Sequence, residues 1–260
     1  MSFAHSLLTY IHVAVGFTSL ILFWIPIASR KGSTLHNKVG RWYANAMYVV
    51  AVTAMLMSVL VLYDPVAAKH PQLQLQAEEL AGLLYRERQV ALFLLAIAFL
   101  VFANVRHGLL TLRSKTDHQL MRAPSHLALN AILGVLGVSL IFVATGSFKI
   151  LFYVFAGLCI SASLGNLRYC LKTEVPRMEW LIAHLSSMIG AGIGSYTAFF
   201  VFGGNRFLQE ILTGQWMLVP WIAPGVIGGI CIAYQSNKYR NKYQKSSKPK
   251  TQSSLPQSAG

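Results

Sequence analysis

The stretch LLTYIHVAVGFTSLILFWIPIA, Leu7 to Ala28, carries no charged residue and no two-residue alternation of polar and apolar side chains. Roughly 20 apolar residues in helix cross the hydrocarbon core of a bilayer, about 30 Å thick, so this run reads as a membrane span. Runs of similar length follow at Trp42 to Tyr63, Val90 to Leu110, Leu127 to Thr145, Phe148 to Leu167, Trp180 to Phe202 and Met217 to Tyr234. Little more than Gly146 and Ser147 separates the fourth from the fifth, which predicts an antiparallel hairpin there. A membrane β-barrel would show short alternating segments instead. The expectation is an all-α, polytopic transmembrane helix bundle of about seven spans in residues 1–234, followed by a basic tail, 235–260.

Composition agrees. Of 260 residues 55% are hydrophobic and 12% charged, against about a quarter charged in an ordinary soluble domain. That excludes a disordered chain and weighs against a soluble enzyme. The first run has no basic residue ahead of it and no small-x-small site before Arg30, so a retained span is expected rather than a cleaved signal.

The net charge of +14 would prompt a search for nucleic acid in a soluble protein. Here its placement sets orientation, because Lys and Arg near span ends are held on the cytoplasmic side. With the N-terminus outside, the inner segments carry Arg30, Lys31, Lys38 and Arg41, then Arg106, Arg113, Lys115 and Arg122, then Arg168, Lys172 and Arg177. The inner tail adds Lys238, Arg240, Lys242, Lys245, Lys248 and Lys250, so 17 basic residues lie inside against 5 outside (Lys69, Arg86, Arg88, Lys149, Arg206). The expected location is a bacterial cytoplasmic (inner) membrane, multi-pass, with no nucleic-acid partner. The tail from Gln235 is rich in Lys, Ser and Gln, carries Pro249 and Pro256, and is expected to be disordered. Its tyrosines and basic residues suit anionic lipid headgroups. The longest loop, Asp64 to Gln89, is placed outside, with Leu80, Leu83 and Leu84 on one face of an interfacial helix over Ala77 to Tyr85.

All eight acidic residues (Asp64, Glu78, Glu79, Glu87, Asp117, Glu174, Glu179, Glu210) fall outside the seven cores. Ion-coupled transporters and proton pumps commonly keep carboxylates at depth, so their absence lowers the expectation of that class. No Walker loop, GxSxG, HExxH or GxGxxG is present, and enzymatic activity is left open. Cys159, Cys170 and Cys231 are odd in number and lack CxxC spacing, which fits neither a disulfide framework nor a zinc knuckle.

Histidine remains. His12 lies about five residues into the first span, roughly 8 Å below the outer surface. His36 precedes span two, His107 ends span three, His126 opens span four, and His184 lies about four residues into span six from the inside. Four helices thus bring a histidine to one boundary. Gly16 follows His12, Gly40 follows His36 and Met188 follows His184, each at i+4 and on the same face. A small neighbour lets a flat ring or a second backbone approach, although such glycines also simply tighten membrane packing.

Three stretches carry a resemblance: IHVAVG from Ile11 continuing through RKGSTLHNKVGRWY from Arg30, HLSSMIGAGIGSYTAFFV from His184, and VPWIAPGVIGG from Val219. Together they resemble a family of bacterial multi-span integral membrane proteins known as a domain of unknown function. That family has a membrane histidine followed by a Leu-His-x-x-x-Gly-Arg motif and a late His-x-x-x-Met span. The match picks out His12, Gly16, His36, Gly40, Arg41, His184, Met188, Thr197, Ala198 and Phe199. It does not clearly reach His107 or His126. The resemblance implies architecture and positions; the family brings no activity with it.

The leading reading is one b-type haem, or other membrane redox chemistry, held by the inner histidines. A haem inside a bundle needs one histidine from each of two facing helices at similar depth. His36 and His184 are the expected axial pair, with His107, His126 and Met188 as weaker candidates and Arg41 or Arg106 at a propionate. His12 has no outer partner, which excludes a two-haem relay. A metal site from the same histidines is not favoured, because no carboxylate or thiolate is expected at their depth. The alternatives are a carrier or channel for a small solute, lined by the histidines with Asn45, Asn104, Asn130 and Asn166 and opened at Pro26, Pro220 and Pro224, or a non-catalytic subunit of a membrane complex.

Overall fold

The computed structural model describes residues 1–73, 75–115, 117–146, 149–176, 178–204, 210–212, 216 and 219–246. Ser147 and Phe148 of the expected hairpin, Met217 at the start of the last run, Arg177, Arg206, Lys248 and Lys250 of the charge distribution, and the tail after 246 lie outside the described residues.

Every regular element among the described residues is helical: α1 (Ser2–Ala28), α2 (Thr34–Tyr63), the short α3 (Pro65–Lys69), α4 (Ala77–Ser114), α5 (Pro124–Val143), α6 (Lys149–Leu171), α7 (Glu179–Ala198) with a π-helical turn (Phe199–Gly203), and α8 (Val219–Ser246). Six of them, α1, α2, α4, α5, α6 and α8, are long and apolar enough to cross a membrane. Their outward faces agree with that role. Phe3, Tyr10, Val13, Phe17, Ile21 and Trp24 are exposed along α1 at helical spacing, a continuous apolar stripe that water would not tolerate and lipid does.

The expected sixth span is the exception. It forms α7, a regular helix of 20 residues, but it is not among those six. Its composition explains this: His184, Ser186, Ser187, Ser195 and several glycines dilute its hydropathy, and it packs against α4, α8 and α1 rather than presenting a broad face to lipid. A helix screened by its neighbours is freed from the apolar rule.

Three boundaries differ from the sequence reading: α2 begins at Thr34 rather than Trp42, so His36 lies in its first turn and not ahead of it, and the other two are at α4 and α8. The interfacial helix expected over Ala77 to Tyr85 is not a separate element. It is the beginning of α4, whose 38 residues reach about 57 Å at 1.5 Å per residue, well beyond a bilayer core. Leu80, Leu83 and Leu84 are half-buried there, between exposed Gly82 and Tyr85, as their shared face requires. At the other end, α8 continues through Ser246, so the expected disorder from Gln235 is replaced by helix as far as 246. No proline or glycine occurs between Gln235 and Ser246 to stop it.

Local chemistry fixes the turns. Gly32 adopts φ +78° in the Lys-Gly turn after α1, a backbone state that glycine enters without steric cost. Ser33 then caps α2 by accepting from the His36 N–H at 3.2 Å, satisfying an otherwise orphaned donor. At the opposite end Asp64 caps α3, accepting from the Ala67 N–H at 3.0 Å. The Lys69 ammonium meets Glu87 at 2.6 Å and ties α3 to α4.

The core gathers on α4, which packs against α2, α5, α6 and α7. Phe93 stacks on Phe152 and meets Phe155 edge-on, each at 5.0 Å between centroids. Small residues set the helix spacing. A Cβ on Gly137 would stand 2.9 Å from Cys159 Cβ, so α5 and α6 approach more closely than any larger residue permits. Gly192 of α7 lies directly on the Phe23 ring of α1, which also meets Tyr43 and Tyr196 at 5.7 Å.

Glycine inside a helix ordinarily costs about 1 kcal/mol relative to alanine, and Gly229→Ala, whose Cβ meets open space, should leave thermal unfolding in detergent unchanged or slightly raised. Gly192→Ala should instead lower stability by about 1–3 kcal/mol through overpacking on Phe23. Combining it with Phe23→Leu should recover part of the loss.

Candidate functional site

Histidines collect at one end of the bundle, where α1 and α4 finish and α2, α5 and α7 begin. His36 and His184, the expected pair, share one local device. The α1 helix ends at Ala28, which leaves the Pro26 carbonyl without an intrahelical partner. That carbonyl accepts from His36 Nδ1 at 3.0 Å and from Lys31 Nζ at 2.8 Å. His184 Nδ1 donates to the Gly108 carbonyl of α4 at 2.9 Å. The approach depends on Gly108 having no side chain, because a Cβ there would stand 3.1 Å from both Met188 Sδ and Ser187 Cβ. A carbonyl only accepts, so both rings carry their proton on Nδ1 and turn an unprotonated Nε2 elsewhere. Among the described residues no hydrogen bond or ring contact joins the two rings.

The remaining expected residues scatter. His12 is half-buried, with Nδ1 3.0 Å from both the Val50 carbonyl and Thr53 Oγ1 of α2. Along α1 it precedes Pro26, the anchor of His36, by about 21 Å at 1.5 Å per residue. Arg41 is exposed on α2 and lines a surface hollow with Lys38, Trp42 and Asn45. Arg106 donates to Ser125 Oγ at 3.2 Å. Met188 packs on Gly108, beside the carbonyl that holds His184. The four amides of the solute-path reading divide among three places: Asn45 is exposed, Asn104 faces Gly190 of α7, and Asn130 and Asn166 bond each other between α5 and α6.

A second group, more buried than the expected pair, forms where α4, α5 and α6 meet. His107 Nδ1 and His126 Nε2 are 3.2 Å apart, with 2% and 0% of their surfaces exposed. Pro124 in the first turn of α5 starts that helix two residues before His126 and so fixes the ring's height. One turn later Asn130 donates to the His126 carbonyl at 2.8 Å. Its own Oδ1 accepts from Asn166 Nδ2 at 2.8 Å, and its carbonyl accepts from Ser163 Oγ at 2.7 Å. The Tyr169 ring packs between His107, at 5.2 Å, and His118, at 5.0 Å. Cys170 completes the group: its Sγ and one ring nitrogen each of His107 and His126 lie within 4.8 Å of one another. A thiol does therefore stand at the histidines' depth, contrary to the sequence expectation.

Cys170, Tyr169 and His118 were the residues that sequence reasoning missed. A signal was present for the first. In an antiparallel hairpin, residues equidistant from the turn face each other. His126 with Cys170, Asn130 with Asn166 and Gly137 with Cys159 are each symmetric about position 148. His118 had no such signal, since its segment is positioned by tertiary contacts in which Arg122 donates to the carbonyls of Cys170, at 3.3 Å, and Lys172, at 2.9 Å, and Tyr169 had none because its ring partners His107 and His118 lie outside the hairpin.

No family model, no curated protein and no solved structure matches the chain. The site is read on its own geometry.

Replacing Asn130 or Asn166 by alanine should each lower stability in detergent by about 1 kcal/mol, the scale of interhelical hydrogen bonds in membrane bundles. The double variant should lose less than the sum of the two, since a single bond is shared. Chemical or thermal unfolding followed by circular dichroism measures the coupling.

Proposed function

We propose that the chain is a seven-span protein of a bacterial cytoplasmic membrane, N-terminus outside and tail inside, that holds one b-type haem at its inner boundary through His36 and His184. One observation carries the reading. Each of these rings is anchored through Nδ1 on a carbonyl of a neighbouring helix, which fixes its tautomer and leaves Nε2 available. Iron and other metals are bound by histidines oriented in this way. A haem held there supplies one-electron chemistry. The protein's part is to set the tautomers, to hold His184 half-buried against Gly108, and to present basic side chains at the boundary. Of these, Arg41 and Arg106 are placed for a propionate.

The orientation rests on the 17-to-5 division of Lys and Arg. In it α7 counts as a seventh span despite its polarity, because α6 and α8 flank it and an even count would put the basic tail outside. The exposed basic residues of α8, Lys238, Arg240 and Lys242, then meet anionic headgroups at the inner face. The similarity of the His12, His36 and His184 motifs to the bacterial domain of unknown function fits this architecture.

Protein purified from haem-replete cells should show the Soret and α bands of low-spin haem b. His184→Ala should abolish or convert them, with Met188 the nearest substitute ligand, while His12→Ala should leave them unchanged. Colourless wild-type protein without haem in a pyridine assay would favour the carrier or the non-catalytic subunit. Single-sided reporters fused after Gly82 and after Lys242 test the topology, and the same response at both would overturn it.

A further inference from the structure

We propose that His107, His126 and Cys170 bind a single d10 transition-metal ion, Zn²⁺ or Cu⁺, at the junction of α4, α5 and α6. The site is separate from the His36 and His184 pair and does not depend on it.

Donor chemistry decides the class of ligand. Two imidazoles and a thiol form a nitrogen and sulfur set with no carboxylate, which suits borderline and soft ions and excludes calcium and magnesium. The geometry excludes a haem at this position. Two axial nitrogens on one iron stand about 4 Å apart with a macrocycle between them, twice the usual metal–imidazole bond, whereas His107 Nδ1 and His126 Nε2 face each other at 3.2 Å. Two imidazoles on a tetrahedral ion, each bonded at about 2.0–2.1 Å, place their nitrogens about 3.3 Å apart. The observed spacing already matches. Cys170 Sγ lies within 4.8 Å of a ring nitrogen of each histidine, about an ångström beyond the sulfur-to-nitrogen spacing of a tetrahedral site.

The surroundings point to a ligand independently. Around this triad, buried polar atoms lack partners: His126 Nδ1, Tyr169 Oη and both ring nitrogens of His118. Buried polar groups are nearly always paired, because an unpaired one in a dry interior forfeits its hydration. These atoms mark the junction as a polar site within a dry interior, where an ion on the facing imidazoles supplies a compensating interaction. The ion turns the two facing imidazoles into ligands whose outer nitrogens carry the protons, with Cys170 as the third donor. The backbone is prepared as well. Arg122 bridges the carbonyls of Cys170 and Lys172, and Asn166 donates to Asn130, which joins α5 to α6 beside the site.

The protons balance simply. Before binding, one proton lies between His107 Nδ1 and His126 Nε2. On binding it moves to the outer nitrogen of the ring that carries it, so both imidazoles stay neutral with their facing lone pairs on the metal. The Cys170 thiol proton is released to solvent, leaving a thiolate ligand.

The full chain, purified in detergent and stripped with a chelator, can be titrated with Co²⁺ as a spectroscopic probe. Saturation at one ion per chain with a thiolate-to-cobalt charge-transfer band is expected. Cys170→Ser should abolish the band, whereas Cys159→Ser and His184→Ala should keep it, which separates this site from the haem reading. Because a variant can fail to fold, the wild-type protein supplies a second readout: bound Co²⁺ or Zn²⁺ should protect Cys170 from alkylation, located by mass spectrometry, and the chelator should remove that protection. Competition by Zn²⁺ or by Cu⁺ against cobalt identifies the ion. Absence of the band together with unprotected Cys170, or a band that survives Cys170→Ser, would overturn the proposal.

Discussion

Lipid offers no hydrogen bonds, and the arrangement of this protein follows from that. Every polar group in the spans must find its partner within the chain, since an unpaired one in hydrocarbon costs several kcal/mol. Serines and threonines meet the requirement locally. Thr9, Thr18, Ser19, Ser139 and Ser161 each donate to the carbonyl three or four residues earlier in their own helix, so they need no neighbour. Histidine and asparagine reach farther and must bond across helices. Their bonds join α1 to α2 at His12 and His36, α7 to α4 at His184, and α5 to α6 at Asn130. The polar residues thereby choose which helices adjoin.

Small residues determine how closely. Gly108, Gly137 and Gly192 stand where a side chain would meet Met188, Cys159 and Phe23, and all three lie at contacts that carry or flank a polar bond. A Cβ at Gly108 would push α7 outward and lengthen the His184 bond to the same residue's carbonyl. Packing and hydrogen bonding are therefore two aspects of one approach, with dispersion supplying the attraction that apolar burial supplies in water.

Concentrating histidines at one end has an electrical consequence. That end also carries Arg106, Arg113, Lys115 and Arg122, which makes it strongly basic. Positive charge gathered there attracts anionic groups such as lipid headgroups to that end of the bundle. The Lys69, His70 and Glu87 cluster at the opposite end balances charge locally instead and presents no comparable group of free ring nitrogens.

The sequence by itself determined the class of fold, because span length and apolarity are local properties that a bilayer reads directly. It located all six helices that are long and apolar enough to cross, with both ends within about five residues for α1, α5 and α6, whereas α2 and α4 begin well before the expected runs and α8 ends well after it. It also anticipated the common end at which His36, His107, His126 and His184 meet, since each lies at the matching end of its helix. The rest required tertiary structure. The polarity of α7 is tolerated only because other helices cover it. Helix in α8 continues past the apolar run because helix formation, unlike insertion, asks for no hydrophobicity. Which histidines touch depends on helix rotation and on loop placement. Arg122 sets the latter through two backbone carbonyls far from it in sequence. The pairing of His126 with Cys170 lay between these cases. The hairpin's symmetry implied it, but only the packing of α4 against both helices brought His107 to the same point.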